Sequence, residues 1–186
     1  MNREDLEHII RAAGELTDWY EFVVVGSQAI LGAVPSPPAR LKASMEADIY
    51  PRGAENLSDR IDQNMGEGSA FHDQYGYYAQ GIDSSTAMLP AGWEGRVVRI
   101  QTQATNLRVG LCLEPTDLFL SKCYANREKD IEFNRELLRW NYVQVSVARG
   151  RVADMPIAPN ERELLKARIT RLVRDLREIG IHIADE

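Results

Sequence analysis

Cysteine, histidine and long apolar runs are scarce in this chain, and each scarcity removes a class of function. Of 186 residues only two are cysteine. Cys112 falls in a strand pattern and Cys123 in a helix pattern, with no C-x-x-C, so both read as buried thiols rather than disulfide partners or zinc ligands. The three histidines, His8, His72 and His182, have no metal-ligand spacing and no H-E-x-x-H, and read as surface or satisfied side chains. No apolar stretch approaches a membrane span, and the opening MNREDLEHII mixes acids and bases where a signal peptide carries an apolar core. The expected location is therefore the cytoplasm, with no membrane partner. Positive charge is in deficit, with 22 Lys and Arg against 28 Asp and Glu and a net charge of −6. Such a field repels nucleic acid in general and leaves room only for a local basic face. Repeats and low-complexity segments are absent.

What is present is an ordinary globular composition, 44% hydrophobic and 27% charged, in a chain long enough for one sizeable core. Leu6, Ile9, Ile10, Ala13 and Leu16 recur at helical spacing behind Asn2, a suitable N-cap, and predict an opening amphipathic helix over 3–16. Residues 21–25 read as a buried strand, and GSQAILGA as a turn into a helix that PSPP ends. The loop to about residue 43 is Pro-rich and expected to be exposed. SMEADIY, residues 44–50, predicts a second strand with Met45, Ala47 and Ile49 on one face and Glu46, Asp48 and Tyr50 on the other.

Leu57, Ile61 and Met65 then predict a helix stopped by GEG, and YGYYAQGID another strand. RVVRIQTQ (96–103) and LRVGLCL (107–113) read as a hairpin joined by ATN. Helices are expected at about 115–126, about 128–147 with breaks, and about 160–178. The order predicts an α+β fold, a mixed β-sheet flanked by helices with a helical C-terminal region. The expected boundaries are 1–114 for the α/β core and 115–186 for the helical region, packed on that core or continuous with it.

Three features carry chemistry. Gly26 permits close backbone approach, and the N–H groups of the following turn, with the Ser27 hydroxyl, suit an anion such as phosphate. The same two residues also read as a tight turn and a helix cap. Glu46 and Asp48, acids on one face of a strand where acids are disfavoured, suit Mg²⁺, which takes carboxylate oxygens and leaves positions for water and substrate phosphates. They equally read as exposed acids on an edge strand. Lys122, Arg127, Lys129 and Asp130 cluster at a predicted helix junction, where they read as a charged helix face or as a phosphate-binding group.

Together, VVVGSQAIL and SMEADIY resemble the signature of the nucleotidyltransferase superfamily: an apolar strand, Gly-Gly or Gly-Ser, then an acid-x-acid pair on the next strand. The gap from Ser27 to Glu46 is longer than in compact members, and Glu stands where Asp is commoner. DLFLSKCYANREKDIEF, residues 117–133, looks like the helical motif of the AbiEii-like nucleotidyltransferases, with Lys122, Ala125, Arg127 and Asp130 in matching order. The resemblance implies that Gly26, Ser27, Lys122 and Arg127 bind the nucleotide and that Glu46 and Asp48 bind Mg²⁺. It implies that Lys122 meets the phosphates and that Asp130 completes the site, as base or as the group that orients a basic neighbour.

The resemblance also implies transfer of a nucleotide from a nucleoside triphosphate to a hydroxyl, with the 3′ end of tRNA as acceptor, by a toxin-like member of a toxin–antitoxin or phage-defence pair whose partner is a cognate antitoxin. Two alternatives stand beside it. One is an inactive binding or regulatory module on the same fold, and the other a transferase acting on a small acceptor such as an antibiotic. Asp83, in GIDSS, is a candidate third acid, or a turn cap. The basic residues of the last predicted helix read as the polar face of a packing helix.

Overall fold

The computed structural model describes residues 1–183. The chain divides into two compact units, one of residues 1–87 and 96–114, the other of residues 88–95 and 115–186. The first is a five-stranded mixed sheet covered by helices and the second is helical, so the fold is α+β.

The first unit opens with helix α1, Arg3–Thr17. Asn2 accepts from the Asp5 N–H at 2.9 Å while Asp5 accepts from the Asn2 N–H at 2.7 Å, so two donors at the helix start are satisfied reciprocally. Strand β1, Glu21–Val25, follows. A 3-10 turn over Ser27–Ala29 then leads into α2, Ile30–Ala33, only four residues long. Strand β2 is Glu46–Pro51, helices α3 and α4 are Ser58–Met65 and Ala70–Tyr75, and β3 is Tyr78–Gly81. Strands β4, Val98–Ile100, and β5, Val109–Cys112, complete the sheet in the order β3-β2-β1-β5-β4.

β1 pairs antiparallel with β2 and parallel with β5, β2 pairs parallel with β3, and β4 pairs antiparallel with β5. The face carrying Phe22, Val24, Ala47, Ile49 and Ala79 is fully buried, and α1 and α3 supply its partners. Gly110 shows how closely α1 lies, because a Cβ there would stand 2.4 Å from Ile10 Cδ1. Burial of Phe22, Val24 and Ile49 on this face contributes about 1.5–3 kcal/mol each.

Some local expectations are revised. Met45 precedes β2 and is exposed instead of sharing the buried face with Ala47 and Ile49. The Pro-rich loop folds into a 3-10 turn, Ala39–Lys42, that buries Leu41. α4 has no counterpart in the sequence reading: Ser69 caps it by accepting from the His72 N–H at 3.2 Å. The hairpin strands are shorter than their apolar runs. Residues 101–108 form a tight turn in which the buried Thr105 hydroxyl donates to the Arg108 carbonyl at 2.7 Å with the Thr102 carbonyl 2.9 Å away, and Asn106 and Leu107 take positive φ.

The second unit comprises α5, Pro115–Ala125, α6, Glu128–Arg139, α7, Val145–Arg151, and α8, Pro159–Glu178. Asn141 at φ 54° turns the chain between α6 and α7. α8 buries Leu165, Ile169, Leu172, Val173 and Leu176 of the stripe that its 3.6-residue periodicity predicts, while Leu164, also expected in that stripe, is exposed. An ion pair at 2.9 Å joins buried Asp117 of α5 to Arg151 at the end of α7. No helix among the described residues is long and apolar enough to cross a membrane.

Candidate active site

The register of β1 against β2 sets Val25 opposite Asp48, which brings the carboxylate to the bend that follows β1. Gly26 has φ 63° and ψ −166°, a conformation reached essentially only by glycine. A Cβ on residue 26 would lie 1.8 Å from Asp48 Oδ2 and 2.9 Å from its Cγ. Asp48 therefore occupies the space that any side chain at 26 would need, and the glycine's permissiveness serves a carboxylate of the protein itself.

The bend is also tied to the start of β2. Gln28, fully buried, donates from Nε2 to the Ser44 carbonyl at 3.1 Å, and Ser44 Oγ accepts from the Glu46 N–H at 3.1 Å. The Gln28 Oε1 atom is buried without a partner among the described residues. The helix beyond the bend is too short for a large dipole, so anion-binding capacity rests on the turn's own N–H groups and the Ser27 hydroxyl.

Glu46 and Asp48 are both half-buried on the sheet face opposite buried Ala47 and Ile49. The parallel pairing of β2 with β3 places Tyr78 beside Glu46 and Gln80 beside Asp48. The four side chains form a row of oxygen-bearing groups on one face. Burial, then the charges of Glu46, Glu67 and Asp48, hold the Tyr78 phenol above its ordinary pKa. Its ring lies 4.7 Å from that of His72, whose Nδ1 accepts from the Gly68 N–H at 3.0 Å. Gln28, Tyr78 and Gln80 had no sequence signal as site residues; alternation within YAQG sets Tyr78 and Gln80 on one face, but only register shows which face of which neighbour they join.

The donor set fits a hard divalent cation. Two carboxylates one residue apart and a neighbouring amide oxygen are the ligand chemistry of Mg²⁺, which keeps several positions for water and phosphate. Among the described residues no group of three or more His, Cys, Asp or Glu side chains is arranged to hold a metal. Asp83 lies beyond the end of β3, where it accepts from the Ser85 N–H at 2.8 Å and caps a 3-10 turn. Hydrogen bonds from the Ser85 hydroxyl and N–H hold its carboxyl below the usual range.

In the second unit, Lys122 of α5 and Asp130 of α6 form a buried ion pair, Nζ to Oδ1 at 3.1 Å, with 7% and 0% of the side chains exposed. Arg127 closes on the same carboxylate from Nε at 2.7 Å and from its own N–H at 3.2 Å. Lys122 Nζ also lies 4.5 Å from the centre of the Phe133 ring. Burial alone would push the Asp130 carboxyl up, but the Arg127 hydrogen bond and the Lys122 charge outweigh it and hold it below its ordinary value. An acid so held suits the orientation of two cations better than proton abstraction.

A family model described as "Nucleotidyltransferase of unknown function (DUF6036)" matches residues 4–158. No curated protein and no solved structure matches this chain.

Proposed function

The chain belongs to this nucleotidyltransferase family, and on that premise we propose that Gly26, Ser27, Glu46 and Asp48 form a Mg²⁺-dependent centre that transfers a nucleotide from a nucleoside triphosphate to a hydroxyl acceptor. The observation that carries the reading is the contact between bend and acid: residue 26 has no room for a side chain because Asp48 Oδ2 is there. The bend proposed to bind phosphate and the acid proposed to bind the ion thus lie side by side.

In the reaction, the acceptor hydroxyl gives up its proton to solvent as its oxygen attacks the α-phosphorus, the bond from that phosphorus to the bridging oxygen breaks, and pyrophosphate leaves with the electron pair. Glu46 and Asp48 would hold the ion, with the Gln80 amide beside them. When bound, the ion neutralises charge on the phosphates. The turn N–H groups and Ser27 Oγ orient the phosphates, and the Tyr78 ring borders the acid pair. Within the second unit, Asp130 holds Lys122 and Arg127, the two cations to which the family resemblance assigns nucleotide binding. Following the AbiEii-like resemblance, the acceptor is the 3′ end of tRNA and the protein the toxin of a pair neutralised by a cognate antitoxin.

The test combines Mg²⁺, labelled nucleoside triphosphates and total tRNA with the wild-type chain and with a Glu46→Ala/Asp48→Ala variant. Label on tRNA that disappears in the variant supports the reading. Label on an aminoglycoside but not on RNA reassigns the acceptor. A second reading, a nucleotide-binding module without turnover, draws on the amide of Gln80 standing beside Asp48 where another carboxylate would strengthen metal binding. Triphosphate binding without transfer to any acceptor would favour it.

A further inference from the structure

The second unit contains a cavity of about 360 Å³ among α5, α6 and α8. Its walls include the apolar Ile131, Leu164 and Leu172, and its polar groups include Asn134, Arg168 and Arg171. A volume of this order suits a small organic ligand.

Arg168 is the informative residue. Its Nη1 donates to the carbonyls of Cys123 at 2.9 Å and Tyr124 at 2.8 Å, which caps the C-terminal end of α5 and offsets the partial negative charge there. The guanidinium is thus fixed in place and half-buried. Among the described residues no carboxylate pairs with it, and its Nε and Nη2 atoms donate to no protein acceptor. A held, partly desolvated cation with an unused donor edge is costly without a counter-charge.

Asn134 adds an independent observation. It is almost fully buried, and its amide nitrogen is anchored on the Phe119 carbonyl and Cys123 Sγ, each at 3.1 Å. Its Oδ1 atom has no partner among the described residues. The other charges facing the cavity are largely matched. Lys122 is paired with Asp130, and Arg135 with Glu132. Asp175, the one carboxylate of the lining, lies 3.8 Å from Arg135 and 3.7 Å from Arg171, and also pairs with Arg174 at 3.1 Å.

We propose that this cavity binds a small phosphate monoester, its phosphate on the free edge of Arg168 with Arg171 at the rim, its apolar or aromatic body against Ile131, Leu164 and Leu172, and a donor group of the ligand on Asn134 Oδ1. Guanidinium groups recognise phosphate through paired N–H donors, and the dianion supplies the charge that Arg168 lacks. The size and apolar walls favour a body of nucleoside dimensions over inorganic phosphate. The lining lies wholly in the second unit, so occupancy does not depend on whether the strand acids of the first unit catalyse transfer.

The test is calorimetric titration of the full chain with AMP and, separately, with inorganic phosphate. The wild type should bind AMP, and phosphate at least about tenfold more weakly, because phosphate leaves the apolar walls unfilled. Arg171→Ala, at an exposed side chain, should weaken AMP binding about threefold, and Arg168→Lys about tenfold, with thermal unfolding recorded as the control for folding. In the Glu46→Ala/Asp48→Ala background, AMP binding that weakens on Arg168→Lys and Arg171→Ala should persist, whether or not transfer activity is present. Absence of AMP binding overturns the proposal, as does binding that is unaffected by both arginine substitutions or abolished by the strand-acid variant.

Discussion

Replacing Gly26 by alanine probes the geometry on which the transferase reading stands. Two costs add. The backbone at φ 63° and ψ −166° is a region that other residues occupy at about 1–3 kcal/mol. The new methyl would also lie 1.8 Å from Asp48 Oδ2, so the carboxylate must rotate or β2 must shift. Overpacking of this kind costs roughly 1–3 kcal/mol. The expected loss is about 2–6 kcal/mol, a large part of the roughly 5–15 kcal/mol that holds a typical domain. At roughly 2–4 °C per kcal/mol for a chain of this size, melting should fall by about 4–24 °C.

A double-mutant cycle separates the two terms. In an Asp48→Ala background the obstructing oxygen is gone, so Gly26→Ala should cost only the backbone term, about 1–3 kcal/mol. In an Asp48→Asn background, where the side chain keeps its shape and loses its charge, the full cost should return. Equal costs of Gly26→Ala in all three backgrounds would refute the contact and the site built on it.

Asp130→Asn removes the buried carboxylate that faces Lys122 and Arg127, and chemical denaturation should register a loss of about 3–5 kcal/mol. Because the folded-state pKa of Asp130 lies below its unfolded value, its contribution is present above about pH 4 and is lost as pH falls through the folded pKa. The acid limb of the wild-type stability profile should therefore be flatter in Asp130→Asn. Burial pushes the thiols of Cys112 and Cys123 up to about 12, so neither should react with a thiol reagent at pH 8 until the chain is unfolded. Fast labelling of the native protein would contradict their burial. His8, whose Nδ1 lies 2.7 Å from the Tyr77 hydroxyl, is held below its ordinary pKa chiefly by burial. NMR titration should find its pKa below that of a free imidazole, and stability should decline as pH falls from about 6.5 through the folded pKa.

Helices α1 and α8 are legible because their information is local. Asn2 before an i, i+3, i+4 stripe yields α1, and the stripe from Leu165 to Leu176 yields α8, whatever lies against them. The turn around Thr105 and the burial of Leu41 are not legible, since a threonine in a polar stretch and a leucine among prolines acquire partners only when the chain closes on itself. α4 is hidden for a related reason: AFHDQY is too short for a periodic signal, and its aromatic residues gain definition from His8 of α1, with ring centres 5.3 Å away at Phe71 and 4.5 Å at Tyr75.

By itself the sequence determined the two-residue period that sets Glu46 and Asp48 on one face of a strand, the glycine between β1 and the following turn, and the spacing that brings Lys122, Arg127 and Asp130 to one helix junction. Those are properties of neighbours along the chain, fixed by backbone stereochemistry. Tertiary structure decided that Val25 faces Asp48, so that a carboxylate fills the place of a side chain at Gly26, and that β3 lies parallel to β2 with Gln80 beside Asp48. Strand register is chosen by burying Ala47, Ile49 and Ala79 together against helices distant in sequence, and no local pattern encodes which residues that choice will bring face to face.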